Sequence, residues 1–152
     1  MRQIRKEVLP EEYRFSEGVI LSETDPRGVI TYANRRFCKV SGYDRDELIG
    51  AEHNIVRHPD MPKEVFRELW ATIQSGSIWE GVIKNLRRDG RYYWVHAYIA
   101  PVWREWQIVG YLSVRRPADA DEIAEAQLKY KSLLIHEQTR NSLCLSSTPT
   151  TI

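Results

Sequence analysis

The chain predicts an α+β fold, a five-stranded antiparallel sheet with short helices on one face. Three observations predict it. Two short apolar runs at 19–24 and 29–33 flank the turn Asp25-Pro26-Arg27-Gly28 and read as a strand pair. Between 34 and 76 the apolar period becomes helical, with stop signals at Gly42, Gly50 and Gly76. From 78 onward the period is two, over long runs at 78–87, 92–103 and 107–116 that form a meander. Helices gathered between a strand pair and a meander pack on one side of the sheet.

Each element has its own signal. Residues 1–17 are charged with scattered apolar positions (Ile4, Val8, Leu9, Tyr13, Phe15) and read as an N-terminal cap or arm, with the folded domain at 18–117. Asn34 stands at a helix start, followed by Phe37, Val40 and Tyr43 at helical spacing. Asp44 with Glu47 three residues later is a capping-box pair. Val65, Phe66, Leu69, Trp70 and Ile73 make the stripe of a longer helix entered through Pro62. Asp89-Gly90 closes the first hairpin of the meander and Glu105-Trp106 the second. Residues 118–136 read as an amphipathic C-terminal helix, with Asp119 as N-cap and Ile123, Ala126, Tyr130, Leu133 and Leu134 on one side. Residues 137–152, rich in Ser and Thr from Arg140, read as a disordered tail.

Composition excludes several functions. A length of 152 residues suits one domain with a core of its own. The net charge is +1, with both signs interspersed, so no basic field favours nucleic acid. No run approaches the ~20 apolar residues of a membrane span. Cys38 and Cys144 lie far apart without metal-ligand spacing, and are expected to be reduced thiols of a cytoplasmic protein.

The segment NIVRHPDMP at 54–62 concentrates chemistry. Arg57 and His58 stand just before Pro59, and Asp60 stands between Pro59 and Pro62, immediately before a helix. Alone this is a stiff polar turn. Strand alternation changes its meaning, because Trp79, Gly81, Ile83 and Asn85 fall on one side of their strand and Glu80 and Lys84 on the wetter side. An inward Asn needs hydrogen-bond partners, and a Gly leaves room for a close approach. Tyr93, Val95, Ala97 and Ile99 continue that inner face. Tyr92, Trp94, His96 and Tyr98 then point outward, and Tyr111 is expected to join them. Such an aromatic row is expected to be covered by residues 1–17 or by a docked protein, with docking favoured. A polar-lined ligand cavity is expected between Asn85 and the 54–62 segment.

These elements resemble the PAS sensor domains of the bacterial aerotaxis receptor family. VSGY at 40–43 and DELIG at 46–50 are shared by many PAS domains. HNIVRHPDMP at 53–62 combined with Trp79 and Asn85 of W-x-G-x-x-K-N at 79–85 is specific to that family, and RDGRYYWV at 88–95 also resembles it. The resemblance covers about residues 19–134. It implies a redox transducer, not an enzyme, that holds FAD in the PAS cavity. By position, Arg57, His58 and Asp60 match the residues that retain the flavin. Trp79 matches the tryptophan beside it, Asn85 and Asn34 match polar cavity residues, and His53 lies on the same motif.

The resemblance carries further expectations. The partner is a HAMP and chemoreceptor signalling module in cis, or a separate protein in trans, at the inner face of the membrane. A homodimer through the outer sheet face or the terminal helices is compatible. Receptors of this type continue into a membrane anchor and coiled coil that this sequence lacks, so it is expected to be an excised sensor or a short stand-alone protein. Asn85 offers both an acceptor oxygen and a donor NH₂, so its carboxamide can answer a change of flavin redox state by rotating. Two alternatives stay open. His53 and His58 could ligate haem in a gas sensor, or the domain could be a cofactor-free interaction module.

Overall fold

The computed structural model describes residues 7–146. Its single antiparallel sheet contains β1 (Ile20–Thr24), β2 (Ile30–Ala33), β3 (Trp79–Leu86), β4 (Tyr92–Arg104) and β5 (Gln107–Pro117), in the order β2-β1-β5-β4-β3. β2 and β3 therefore lie at opposite edges. The chain between them must cross a whole face of the sheet, and it does so as α1 (Arg35–Ser41), α2 (Arg45–Leu48), a 3₁₀ turn (His53–Val56) and α3 (Lys63–Gln74). This crossing creates the space between helices and sheet in which a ligand could sit.

Local chemistry shapes the crossing. Asn34 caps α1 by accepting from the Phe37 amide at 3.0 Å, and Gly42 ends it at φ 79, a conformation that favours glycine. The Glu47 side chain accepts from the Asp44 amide at 3.1 Å, completing the reciprocal cap at α2. Val65, Leu69 and Ile73 of α3 are buried against the sheet core formed by Ile20, Ile83, Tyr93, Val95 and Ala97. Apolar burial of this kind contributes roughly 1.5–3 kcal/mol per large side chain.

The arm at 7–13 runs beside β4. The Leu9 amide donates to the Gly90 carbonyl at 2.9 Å and the Tyr13 amide to Tyr92 at 2.7 Å. Gly90 permits this, since a Cβ there would meet the Glu7 carbonyl oxygen at 2.1 Å. Residues 1–6 of the expected arm lie outside the described residues.

Three expectations need correction. Tyr111 faces inward, because the β4–β5 register pairs it with Pro101 and pairs Ser113 with Ile99, putting it on the face of Ile99. The outer row is largely covered from within the chain. The arm pairs with Tyr92, Trp94 is 5% exposed, and α4 (Ala120–Ser146) buries Ala126 and Tyr130. Finally, the C-terminal helix continues to Ser146 instead of giving way to a tail at 137. Glu137 anchors it to α3, accepting from the Lys63 and Glu64 amides at 3.2 and 3.1 Å. Residues 147–152 of the expected tail lie outside the described residues.

Candidate functional site

A cavity of about 340 Å³ lies between the sheet and the crossing. Its helical wall is Phe66, Leu69, Trp70 and Ile73 of α3, all on the stripe that an amphipathic helix presents to a core. A second wall comes from the 3₁₀ turn and its C-terminal flank, with His53, Asn54, Val56 and Arg57. The floor is the inner face of the sheet, with Ile83 and Asn85 from β3, Ile99 from β4, and Tyr111, Ser113 and Arg115 from β5. Arg27 and Gly28 of the β1–β2 turn also line it. Apolar and aromatic walls with a few placed polar groups describe a small-molecule site.

The floor is polar where a core would be apolar. Arg115 is 2% exposed, and among the described residues no carboxylate pairs with it. Its Nη2 donates to the Ser22 hydroxyl at 2.7 Å, and its guanidinium lies 4.3 Å from the Phe37 ring centroid. Burial lowers its pKa to about 10, so it stays charged at neutral pH. Its Nε has no hydrogen-bond partner, and neither does the Ser113 hydroxyl. Buried unpaired donors carry a penalty of ~1–3 kcal/mol each, more when charged, and a ligand bearing acceptors removes it.

His53 extends this network. Its Nε2 lies 3.0 Å from the Ser22 hydroxyl, and its ring stacks on Phe37 with centroids 5.7 Å apart. Desolvation, assisted by the Arg115 charge, lowers its pKa to about 3. The imidazole is therefore neutral. Since Ser22 accepts from Arg115, its own proton is free to go to His53 Nε2.

Of the residues singled out in the sequence, the cavity collects His53, Arg57 and Asn85. Arg57 and Asn85 form an isolated antiparallel bridge, which ties the 54–62 segment to the outer edge of β3. The Arg57 guanidinium sits 3.7 Å over the centroid of Phe66. Burial lowers its pKa and the charge of Glu137 opposes that shift.

The other four lie elsewhere. His58 is 1% exposed, accepts at Nδ1 from the Asp60 amide at 3.0 Å and meets Tyr92 edge-on. Burial, reinforced by Lys84, lowers its pKa to about 4. Asp60 pairs with Lys84 at 3.1 Å. His58 and Asp60 line a separate cleft with Val8, Leu9 and Pro10 of the arm. Trp79 lies over Gly81, where a Cβ would come within 2.5 Å of the indole. The room left by that glycine is thus filled by Trp79. Asn34 is occupied as a cap, and its Nδ2 donates to the Val19 carbonyl at 2.9 Å.

Sequence reasoning missed Ser22, Ser113, Arg115 and Arg27. The signal for two of them was present. Alternation along 107–117 puts Tyr111, Ser113 and Arg115 on one face, and an arginine on the inner face of a central strand marks a polar site.

A polar inner sheet face closed off by a helical crossing makes a cavity of the kind that holds a small molecule. The description of the PAS fold matches residues 30–115, and the chain belongs to the PAS family. It is 47% identical over 117 residues to the aerotaxis receptor of Escherichia coli (strain K12), covering 77% of this chain and 23% of the receptor. It is 33% identical over 113 residues to the biofilm dispersion protein BdlA of Pseudomonas aeruginosa, covering 74% of this chain and 27% of that protein. The nitrogen fixation regulatory protein of Klebsiella pneumoniae is 31% identical over 125 residues, 82% of this chain and 25% of its own. The chain thus spans about a quarter of the length of these curated relatives. Among solved structures, the light state of the blue-light photoreceptor Aureochrome1 LOV matches with a TM-score of 0.63 at 25% identity, covering 79% of this chain and 91% of that one. A PAS domain from Colwellia psychrerythraea matches with a TM-score of 0.61 at 26% identity, covering 66% and 86%.

Proposed function

We propose that this PAS domain holds FAD in the cavity between α3 and the sheet and reports its redox state to a chemotaxis signalling module, in cis or in trans. The observation that carries the reading is the floor: a charged Arg115 Nε and a Ser113 hydroxyl, buried and unpartnered, beside the Asn85 carboxamide. A flat heteroaromatic ring with carbonyl and ring-nitrogen acceptors along one edge answers that donor set. Its apolar edge would lie against Leu69, Ile73, Ile83 and Ile99.

Bound flavin supplies reversible electron uptake that alters the hydrogen-bonding character of its ring. The chain's own residues do the rest. Asn85 can donate or accept, so it can follow such a change. Arg115 supplies fixed positive charge at the floor, and neutral His53 adds none. Arg57 and Arg27 bring cations to the cavity and suit the diphosphate that separates FAD from FMN. His58, Asp60 and Trp79 would support retention indirectly, by fixing the 54–62 segment and the inner face of β3.

In the haem reading either His53 or His58 would supply an axial ligand; His58 lines the separate cleft, and His53, which lines the cavity, has its Nε2 engaged with the Ser22 hydroxyl. The test is reconstitution. Cofactor-free protein titrated with FAD, FMN and haem should bind FAD tightest, and Arg57→Ala should narrow the gap between FAD and FMN. Preference for haem, or no binding of either flavin, contradicts the proposal.

A further inference from the structure

α3 begins without a cap of its own. Pro62 occupies its N-cap position and provides no side-chain acceptor, so the first-turn amides need partners from elsewhere. The acceptor comes from more than seventy residues downstream. Glu137, on the far part of α4, takes the Lys63 amide on Oε1 at 3.2 Å and the Glu64 amide on Oε2 at 3.1 Å. Both carboxylate oxygens are used, and the negative charge sits at the positive end of the α3 dipole.

The same turn leads directly into the cavity wall. Phe66 is one turn further along α3 and lines the cavity, with Arg57 lying 3.7 Å over its ring. The Glu137 charge is also felt at Arg57. The other α4 anchors bind elsewhere. The Tyr130 hydroxyl donates to the Val82 carbonyl. Glu122 holds Arg116 at 2.9 Å and His96 at 3.0 Å. Those contacts fasten α4 to the sheet, whereas Glu137 fastens it to the wall of the cavity.

We propose that Glu137 is a positioning residue that couples the cavity to the C-terminal helix, so that docking of α4 and retention of the ligand are one linked equilibrium. The proposal rests on the flavin reading for the identity of the ligand, while the α3–α4 linkage stands on its own contacts. A ligand that needs Phe66 and Arg57 in place favours an ordered α3 start, and this favours docked α4. Reciprocity then requires docked α4 to tighten the ligand by the same factor.

The test uses limited trypsin cleavage at Lys129, Lys131 and Arg140 of α4, with and without FAD, alongside FAD affinity. In the native chain FAD should slow cleavage by roughly fivefold or more, the lower range of measured couplings. Glu137→Ala should remove that protection and weaken FAD by a similar factor. Glu137→Gln should keep part of both, since a carboxamide oxygen still accepts. Tyr130→Phe should speed cleavage in both states and leave the FAD-dependent ratio in place, which separates coupling from mere attachment. Retained protection and unchanged FAD affinity in Glu137→Ala overturn the proposal. A native chain that binds no FAD refutes the flavin reading instead. The linkage is then judged by amide exchange, where Glu137→Ala must speed exchange in the first turn of α3, and unchanged exchange there overturns it.

Discussion

Arg57 and Asn85 face each other across an isolated antiparallel bridge, and both side chains line the same cavity. The bridge explains how a stiff polar segment becomes part of the cavity wall. Backbone pairing to the outer edge of β3 fixes where Arg57 starts, and the Phe66 ring fixes where its guanidinium ends. A cation held over an aromatic face contributes about 0.5–2 kcal/mol.

Arg57→Ala should therefore leave the fold intact and weaken FAD by about tenfold, or about 1.4 kcal/mol. Equilibrium dialysis gives the affinity, and thermal unfolding of the cofactor-free protein checks the fold. Unchanged affinity would remove Arg57 from the site.

Asn85→Ala should retain flavin but lose the conformational response to reduction. The response is read as the change in α4 cleavage between oxidised and chemically reduced protein. A variant that still switches would rule out the carboxamide as the sensing group.

Arg115 presents opposite effects on fold and ligand. Its charge is buried and unpaired, so Arg115→Met should leave the stability of the cofactor-free protein unchanged or raise it by about 1–4 kcal/mol. The same variant should weaken FAD binding. Urea unfolding and a binding titration on one preparation check both halves, and a large loss of apo stability would contradict the unpaired-charge account.

Acid should destabilise the domain through two histidines. The folded-state pKa values of His53 and His58 are lowered to about 3 and about 4, below the ~6.5 of an unfolded chain. Between those limits the unfolded state binds more protons, so stability rises with pH. The stabilisation is complete above about pH 6.5 and is lost as pH falls toward the folded values. Each histidine should contribute about 2 kcal/mol of loss between about pH 7 and about pH 5. Urea midpoints across that range check it, and His58→Gln should remove roughly half of the slope.

Much of this was legible locally. The caps at Asn34 and Asp44, the stripe of α3 and the inward placement of Asn85 all come from period and capping chemistry. Tyr111 was misplaced because its direction depends on the β4–β5 register, which no local pattern within one strand states. Arg115 shares the face of Tyr111 by alternation, so the same register had to place it inward, and its importance came from lacking a partner. The C-terminal helix was cut short because composition at 137–152 carries no trace of a contact made with α3. Gly81 was correctly read as leaving space, and Trp79 two residues away proved to be what fills it.

The central claim is that this cavity holds FAD, and the visible spectrum of the freshly purified chain tests it most directly. The account predicts the two-banded absorption of oxidised flavin and release of FAD on denaturation, with the colour lost or diminished in Arg57→Ala. A colourless protein, a Soret band, or release of FMN alone would contradict it.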